Sequence, residues 1–547
     1  MLNLLLLVDF YIESPFIVMS NKYQECVLNN QFDRLMNNIK PYIKRKVAYW
    51  LGYSSESITR RLLQQFSELE FHNFKGKALE CLEKEAGVTI FNENIIKLNR
   101  FQYEIRNESV SITFAYFVKC VLKFMIEWNL VLFHCIKALF VTPNADKYTL
   151  VYGVSDNNFF GKRGDLEFVK FCKNSLIVPL SETVPLIVEA STNRTSFNSS
   201  DLHYSKNPLY TLLQKKGISV IEFIEFFLLH CKSMFVYLRS LFNFPMVAIL
   251  KNDFSCHALA SILNKKNSIK NIVITNSNIF MQPLWMGSLP GRKFITHMIW
   301  YSQNYFVYGP DICVPATYKY ICADEHWVWT KSFSNILKEQ NISGKFHNVG
   351  PILFYSMPEK PILKDEFVIN ISVFDVTPIN DKWAEKMGTG VLYLNKNIRK
   401  FKRVDYCSPV VLSKFINDIV STAKKLEIYS GKKVHIILKP KRRAHPKHDV
   451  GYTDLIKELS SNNDNIHIIS PEENLYKVVL KSHIVVVLPF SSPAYVASSM
   501  GVPAIYFDPM QEKNISSQYK KTSNILLASG KNDLYEKMID VLPQNYA

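Results

Sequence analysis

The sequence predicts an α/β protein whose second half forms a parallel, doubly wound sheet. From Asp365 onwards, short apolar runs alternate with helical segments, an order typical of parallel sheets. Residues 481–509, KSHIVVVLPFSSPAYVASSMGVPAIYFDP, fit a strand, a turn, a helix and a second strand, which is one right-handed βαβ unit. The run His483–Leu488 has no polar alternation, as expected for a strand that is buried on both faces.

The composition is that of a large globular protein. The chain has 547 residues, of which 48% are hydrophobic, so two or three packed domains are expected. Lys and Arg number 65 against 48 Asp and Glu, a formal net charge of +17. Such a surplus favours anionic partners, including phosphorylated ligands and an anionic membrane surface. The basic residues are scattered, unlike a nucleic-acid-binding surface, so no nucleic acid partner is expected.

The cysteines and the amino terminus bear on location. Ten cysteines occur singly, without a C-x-x-C pair or a Cys/His cluster at zinc spacing. This indicates a reducing cytoplasmic interior, with neither a disulfide framework nor a structural metal. The opening run MLNLLLLVDFYI has no basic leader, contains Asp9 and is too short to span a bilayer. We interpret it as the first strand of the amino-terminal domain.

Two long apolar helices are predicted in the first half, over Ser109–Val141 and Ile218–Phe242. Each carries its charged residues on one stripe. They are either core helices packed against each other or helices lying in a membrane interface. Residues 11–108 fit polar helices. Strands are predicted at Tyr148–Val154, Leu176–Leu180, Leu186–Val188 and Asn271–Thr275.

A proline-bearing linker separates the two halves. Pro351, Pro358 and Pro361 have polar neighbours, so we place a domain boundary at about residue 360 and predict domains over 1–360 and 361–547. In the second domain we predict strand Phe367–Phe374, helix Val410–Leu426, strand Val434–Leu438, helix Tyr452–Leu459, strand Ile466–Ile469, helix Glu473–Leu480, the βαβ unit, strand Ile525–Leu527 and a last helix.

Polar side chains follow three of these strands or begin a neighbouring helix. In parallel sheets a ligand binds beyond the carboxyl ends of the strands, so these side chains are expected to line one crevice. Basic side chains neutralise phosphate, and a helix start with hydroxyls offers N–H and O–H donors. The candidates for binding are Lys439, Lys441, Arg442, His445, Glu473, Ser491, Ser492 and Asp508.

Each of these features also has a purely structural interpretation. Ser491 and Ser492 fit ordinary helix caps, and the basic run after residue 438 fits a solvated loop. The sequence contains neither a P-loop nor a G-x-G-x-x-G motif, which argues against an NTPase and a dinucleotide-dependent oxidoreductase.

The run LPFSSPAYVASSMGVPAIYFDP resembles the "PFTS" signature of bacterial surface-polysaccharide biosynthesis proteins, with Ser491 in place of the Thr. The runs ILKPKR, VFDVTP and NVGPI are also similar to that family's pattern. The resemblance implies a GT-B fold, in which two Rossmann-type domains face a cleft and the second holds a nucleotide-sugar. His445-Pro446 and Ser491-Ser492 also resemble the motifs of bacterial sialyltransferases that use CMP-sugars, where such residues contact the donor phosphate.

The resemblance implies a glycosyltransferase of capsule or lipopolysaccharide synthesis. From the cysteine usage, the net charge and the two apolar helices we expect it in the cytoplasm, peripheral at the inner face of the membrane. Its donor would be a nucleotide-sugar, its acceptor a glycan or lipid-linked glycan, and neither a cofactor nor a metal is implied. A carboxylate of the first domain would deprotonate the acceptor hydroxyl. Asp165, which ends a glycine-bearing loop, and Asp253, in KNDFSCH, are the candidates. The alternatives are a non-catalytic GT-B-like glycan-binding or assembly protein and a nucleotide-sugar epimerase.

Overall fold

The computed structural model describes residues 51–64, 96–103, 114–152, 182–188, 203–275, 282–300, 306–313, 321–352, 365–382, 408–511 and 524–542, with short gaps inside several ranges. Three predicted features lie outside the described residues: the amino-terminal strand, the strand Leu176–Leu180, and the loop that ends at Asp165. Most of the polar segment 11–108 lies outside them too.

In the first half, the described residues include helical positions between 56 and 64, a small antiparallel pair, and then strands and helices that follow one another. Its elements are β1 (Ile96–Leu98), β2 (Phe101–Tyr103), α1 (Phe114–Ala138), β3 (Tyr148–Tyr152), β4 (Val184–Val188), β5 (His203–Ser205), α2 (Pro208–Lys216), α3 (Val220–Asn243), α4 (Lys251–Ser255), α5 (His257–Lys265), β6 (Ile269–Thr275), α6 (Leu284–Ser288), β7 (Ile295–Ile299), β8 (Phe306–Tyr308), β9 (Asp311–Cys313), β10 (Glu325–Val328), α7 (Lys331–Glu339) and β11 (Lys345–Asn348).

In the second half, each predicted strand and helix is present, with ends shifted by a few residues. Its elements are β12 (Val368–Phe374), α8 (Pro409–Ser430), β13 (Lys433–Lys439), α9 (Val450–Asn462), β14 (Ile466–Ile468), α10 (Leu475–Lys481), β15 (Ile484–Val487), α11 (Ser492–Ser499), β16 (Ala504–Asp508), β17 (Leu526–Ser529) and α12 (Lys531–Val541).

Two parallel sheets organise the chain. The first has the order β11-β10-β7-β6-β3-β4-β5 and the second β14-β13-β12-β15-β16-β17, and every pairing within both sheets is parallel. Numbered along the chain within each sheet, both contain the order 3-2-1-4-5-6, which is the Rossmann arrangement. Two successive Rossmann-type domains are the organisation of a GT-B fold, so the predicted fold class is confirmed. The predicted boundary near residue 360 falls between the end of β11 and the start of β12.

Local sequence explains where the helices of the second domain begin and end. At the start of α8, Ser408 accepts a hydrogen bond from the backbone N–H of Val411 (3.3 Å), and a proline occupies the first turn. Its last turn is closed by Gly431, whose φ of 63° lies in the left-handed region. Asp449 caps α9 by accepting from the N–H of Tyr452 (2.7 Å). The strands fill the interior, since all four residues of β15 are buried.

The two long apolar helices are present as α1 and α3, and they pack on each other and on the first sheet's core through one side. Their other side exposes large apolar residues. The interpretation as core helices is therefore only half right. Among the described helices, none combines the length and the apolar character needed to cross a membrane.

The two left-handed glycines Gly217 and Gly431 offer a matched test of packing. Gly217 ends α2 with φ 53°, and a Cβ added there would lie 2.5 Å from the carbonyl oxygen of Val141. Gly431 has a similar φ, but no atom lies within 4 Å of such a Cβ. We expect Gly431→Ala to lower the free energy of unfolding by about 1 kcal/mol through backbone strain alone. Gly217→Ala should cost ~1–3 kcal/mol more, because its ψ of 175° lies in a backbone region almost confined to glycine and because the added Cβ would force the chain apart. Urea denaturation measures both, and equal losses would show that Val141 is not closely packed there.

Candidate active site

The second sheet reverses its strand order between β12 and β15, and this switch point is where Rossmann-type sheets bind ligands. The two strands pair in parallel from Ile371 with Ile484 to Phe374 with Val487. Their carboxyl ends therefore lead together into the segments 375–378 and 488–492. β13 flanks β12 and delivers the basic run to the same edge.

Asp375, the first residue after β12, holds this edge together. Its side chain is buried and accepts hydrogen bonds from the backbone N–H of Lys441 (2.8 Å) and from the Tyr452 hydroxyl (3.0 Å). It also accepts from the N–H and the hydroxyl of Thr377, both at 3.1 Å. Burial raises the pKa of the Asp375 carboxyl above its ordinary value, and these four donors oppose the rise. The carboxylate thus joins the exits of β12 and β13 to α9.

Thr377 reinforces this junction at a cost in backbone strain. Its φ of 49° is left-handed, which a β-branched residue rarely adopts. In that conformation its hydroxyl oxygen accepts a hydrogen bond from the N–H of Arg442 (3.1 Å). Two successive N–H groups of the basic run are therefore held by the segment after β12. Backbone strain of this kind concentrates at functional sites, where the surroundings must enforce it.

The four basic residues of the run have different surroundings. Lys439 is buried, and its Nζ donates to the carbonyl oxygen of Pro471, so it supports the neighbouring loop. Arg443 is exposed and pairs with Glu472 in that same loop. The side chains of Lys441 and Arg442 are half-buried, and their backbone N–H groups are fixed as described. Of the run, Lys441 and Arg442 are therefore the residues whose backbone is tied to the segment after β12.

Glu473 and His445 are both exposed. The expectation that Glu473 begins a helix is wrong, because α10 starts at Leu475 and is capped by Asn474, whose side chain accepts from the N–H of Tyr476. Glu473 belongs to the preceding turn, with its N–H donating to the carbonyl of Ser470. His445 accepts at Nδ1 from the N–H of Lys447 (3.1 Å). Ligand binding by these two residues stays a prediction.

Ser491 and Ser492 stand at the start of α11. Ser491 occupies the cap position, but its side chain makes no capping hydrogen bond to the helix. Its carbonyl oxygen accepts from the N–H of Ala494 and from the Tyr506 hydroxyl (3.4 Å). Both serine residues are half-buried. Ordinary capping therefore does not account for Ser491, and ligand binding by the two serines stays a prediction.

Asp508, at the end of β16, is buried, and its Oδ1 accepts from the N–H of Met510 (3.0 Å). Its carbonyl oxygen accepts from Gly530. These contacts shape the turn after β16. The part of Asp508 in ligand binding stays a prediction.

The two candidate bases differ in what the structure describes. Asp165 lies outside the described residues. Asp253 is buried in α4 and accepts hydrogen bonds from the side chain of Arg61 (3.2 Å) and from the N–H of Leu284 (2.6 Å). Because α5 runs back against parallel strand β6, its start and the adjacent α4 lie on the carboxyl side of the first sheet. Asp253 is thus on the expected side, but both contacts favour a structural role, and its catalytic assignment stays a prediction.

An aromatic contact joins the first domain to the start of α11. Trp329 follows β10, and its ring meets the ring of Tyr495 edge to face, with 6.4 Å between centroids. Tyr495 in turn contacts Tyr506 (6.2 Å), whose hydroxyl reaches Ser491. Since Trp329 follows a strand of one sheet and α11 follows a strand of the other, the carboxyl ends of the two sheets meet at this point.

No group of three or more His, Cys, Asp or Glu side chains that could hold a metal ion is found among the described residues. The expectation that no metal is needed stays a prediction. Asp375 and Thr377 lie in the run VFDVTP, which the sequence marks only as similar to the family pattern; they are not among the candidates predicted from the sequence. Their position directly after a buried strand was the signal that could have identified them.

A protein-family model described as "Polysaccharide biosynthesis PFTS motif protein" matches residues 236–538, more than half of the chain. The chain belongs to this family. The match includes the whole second sheet and the PFTS-like turn at Ser491. No curated protein sequence matches the chain well enough to count as a relative.

Solved structures similar to this PFTS protein are distant from it. A trehalose-6-phosphate protein from E. coli bound with UDP-2-fluoro glucose is 9% identical, covers 73% of this chain and 92% of its own, and has a TM-score of 0.36. A variant of the wall teichoic acid polymerase TagF is 8% identical over 79% and 90%, with a TM-score of 0.38. A glycosyltransferase from Rickettsia africae is 13% identical over 72% and 88%, with a TM-score of 0.35. These similarities are too remote to assign an activity.

The Asp375 junction generates a pH-dependent prediction. Tyr452→Phe removes one donor to a buried carboxylate, so we expect the free energy of unfolding to fall by about 1–3 kcal/mol near neutral pH. Loss of the donor raises the folded-state pKa of Asp375 further and leaves the unfolded value unchanged. The deficit should therefore shrink as the pH falls through that pKa, because the protonated carboxyl no longer needs the donor.

Urea denaturation of wild type and variant across this pH range measures the effect. Tyr429→Phe is the matched control, since Tyr429 is exposed on α8, and it should change little at any pH. A deficit that does not depend on pH would show that Tyr452 acts through packing and not through the carboxylate.

Proposed function

We propose that this protein is a glycosyltransferase of bacterial surface polysaccharide synthesis, with a nucleotide-sugar bound at the β12–β15 switch point. Membership of the PFTS family supports the pathway. The proposal of sugar transfer from a nucleotide-sugar rests on the arrangement of groups at the switch point. A hydroxyl-bearing helix start without a side-chain cap follows β15, and a basic run whose backbone is tied to Asp375 follows β13, so the two flank the end of β12.

Each part of this arrangement suits a phosphate that leaves with negative charge. The start of α11 supplies backbone N–H groups and the positive end of the helix dipole. Ser491 and Ser492 add hydroxyl donors, and the Lys441 and Arg442 side chains add positive charge. Because Asp375 and Thr377 hold the two backbone N–H groups of the run, little reorganisation is needed when charge develops on the leaving group.

In the proposed reaction, the acceptor hydroxyl oxygen attacks the anomeric carbon in line with the bond to the donor phosphate. That bond breaks, the nucleotide leaves with the electron pair, and the hydroxyl proton passes to a base. Asp165 and Asp253 are the proposed candidates for this base. The Arg61 and Leu284 contacts of Asp253 would have to loosen for it to act.

The finer assignments also belong to the proposal. The donor includes CMP-sugars as a candidate class, by the resemblance of His445-Pro446 and Ser491-Ser492 to sialyltransferase motifs. The product is a capsule or lipopolysaccharide glycan on a glycan or lipid-linked acceptor. The proposed location is the cytoplasm, peripheral at the inner face of the membrane, and the reaction uses no metal or added cofactor.

Donor binding is tested by replacing both serines. Ser491→Ala/Ser492→Ala should weaken nucleotide-sugar binding by about 1–3 kcal/mol, the scale of hydrogen bonds to charged groups. A thermal-shift screen of CMP, CDP, UDP and GDP identifies the nucleotide, and calorimetry then measures the affinity. Unchanged affinity in a folded double variant would remove the serines from the site.

The alternative functions are distinguished with the wild-type protein. Tight donor binding without sugar transfer would favour an assembly protein, and conversion of the nucleotide-sugar without an acceptor would favour an epimerase.

The basic run provides a charge-matched comparison. Lys441→Ala should lower kcat/KM by about one to two orders of magnitude, or 1.4–2.7 kcal/mol of transition-state stabilisation. Arg443→Ala removes the same charge but only an exposed ion pair with Glu472, which contributes about 0–1 kcal/mol to stability, and should change kcat/KM little. Steady-state kinetics with the identified donor measure both. Equal losses would indicate diffuse attraction in place of a specific phosphate contact.

A further inference from the structure

Helices α1 and α3 expose an apolar surface on the side turned away from the core. Its exposed members include Leu122, Ile126 and Phe133 on α1 and Ile221, Ile224 and Leu228 on α3, each between 50% and 72% exposed. We call this surface the α1–α3 face. On each helix these residues are three, four or seven positions apart, so they lie on one side of the helix and form a stripe. A patch of this extent on a soluble protein marks an interaction surface.

The face is not needed to hold the two helices in place. They are fixed through their opposite sides, where Phe124 stacks on Tyr237 (4.0 Å) and Trp128 on His230 (4.5 Å). Trp128 and His230 also exchange two hydrogen bonds between side chain and backbone (3.2 and 3.0 Å). Trp128 comes after Phe124 in α1, whereas its partner His230 comes before Tyr237 in α3. The two helices are therefore antiparallel and lie side by side. The result is a broad apolar platform on a rigid base.

Lysines border the stripes on both helices. Lys119 and Lys123 on α1 and Lys232 on α3 have no carboxylate partner among the described residues. Lys137 lies over the ring of Phe133, 4.4 Å from its centroid. Long aliphatic stems let such lysines lie along an apolar surface while the ammonium groups reach a polar layer.

The carboxylates of the same helices are already engaged. Glu222 pairs with Lys266 (2.8 Å) and Glu225 with Lys265 (2.6 Å), while Glu127 accepts a hydrogen bond from the Tyr210 hydroxyl (3.2 Å). The border of the face therefore carries positive charge that its own acidic residues do not balance. An occupant that is apolar in the middle and anionic at its surface would match both features.

We propose that the α1–α3 face docks on an anionic phospholipid bilayer, with its apolar side chains in the boundary between headgroups and acyl chains and its lysines among the phosphates. The helices lie on the membrane, because their opposite sides are packed on the protein. A second copy fits less well, since a two-fold interface would bring the cationic borders together without carboxylates to match them. This inference does not depend on the transfer reaction.

Vesicle binding of the purified full chain tests the proposal. Sucrose-loaded vesicles of phosphatidylcholine alone and of phosphatidylcholine with phosphatidylglycerol are sedimented with the protein. Wild type should bind the anionic vesicles more tightly, and salt should weaken the difference. Leu122→Gln/Ile126→Gln/Leu228→Gln should lower the partition coefficient by about two orders of magnitude, because apolar area is lost from the contact. Lys119→Gln/Lys123→Gln/Lys232→Gln should lower binding to the anionic vesicles at least ~10-fold and leave binding to neutral vesicles nearly unchanged.

The matched control is Phe367→Gln/Val410→Gln/Ile428→Gln, three residues of the second domain that are at least as exposed but lie apart from the face. It should bind vesicles like wild type. Light scattering without vesicles reports the oligomeric state of each variant. Failure of wild type to bind, or equal loss in the control, would overturn the proposal. A wild-type dimer that the face variant converts to a monomer, with vesicle binding unchanged, would assign the face to a second copy. The variant Leu122→Gln/Ile126→Gln/Leu228→Gln should bind the donor with the same affinity as wild type. The result of the vesicle test is therefore independent of whether the proposed transfer reaction is correct.

Discussion

The buried carboxylate of Asp375 is the interaction on which the proposed site depends. A charged group without solvent is strongly unfavourable unless hydrogen bonds replace its water, and here the donors come from three separate parts of the second domain. Those parts are consequently held at fixed positions around one residue. The basic run, the strained turn at Thr377 and the start of α9 take their geometry from this requirement. The same burial that raises the pKa of Asp375 makes the loss of any one donor costly, because a buried carboxylate is shielded from solvent.

The start of α11 is held by contacts that include the first domain. Aromatic rings of Trp329, Tyr495 and Tyr506 form a continuous contact from the first domain to the carbonyl of Ser491. Edge-to-face rings at such distances combine apolar burial with a preferred orientation. A helix start that binds phosphate must present its N–H groups in one direction, and contacts from both domains keep this one in place. The relation between the two domains thus bears directly on the shape of the proposed donor site.

Basic side chains recur on two surfaces of the described residues. Asp253, Glu222, Glu225 and Glu472 each pair with a basic side chain of the same protein. At the carboxyl edge of the second sheet, the basic run after β13 and the hydroxyl-bearing start of α11 after β15 flank the end of β12, a combination suited to a phosphate group. The lysines along the α1–α3 face stand beside exposed hydrocarbon, a combination suited to lipid headgroups above acyl chains. The two surfaces therefore present positive charge in two different chemical settings.

The sequence by itself determined the elements of the second domain and the edge at which its polar residues gather. Uniformly apolar strands, caps such as Ser408 and stops such as Gly431 are local signals, and parallel strands place their carboxyl ends together whatever the rest of the chain does. Only the tertiary structure decided which of those residues serve the site. Asp375 meets Lys441 and Tyr452 across 66 and 77 residues, a distance at which no sequence pattern reports contact. Lys439 and Arg443 look alike in the sequence, yet one is buried against Pro471 and the other pairs with Glu472 at the surface. The sequence also left open which side of α1 and α3 is buried, because an apolar stripe has the same pattern whether it packs on protein or is exposed at the surface.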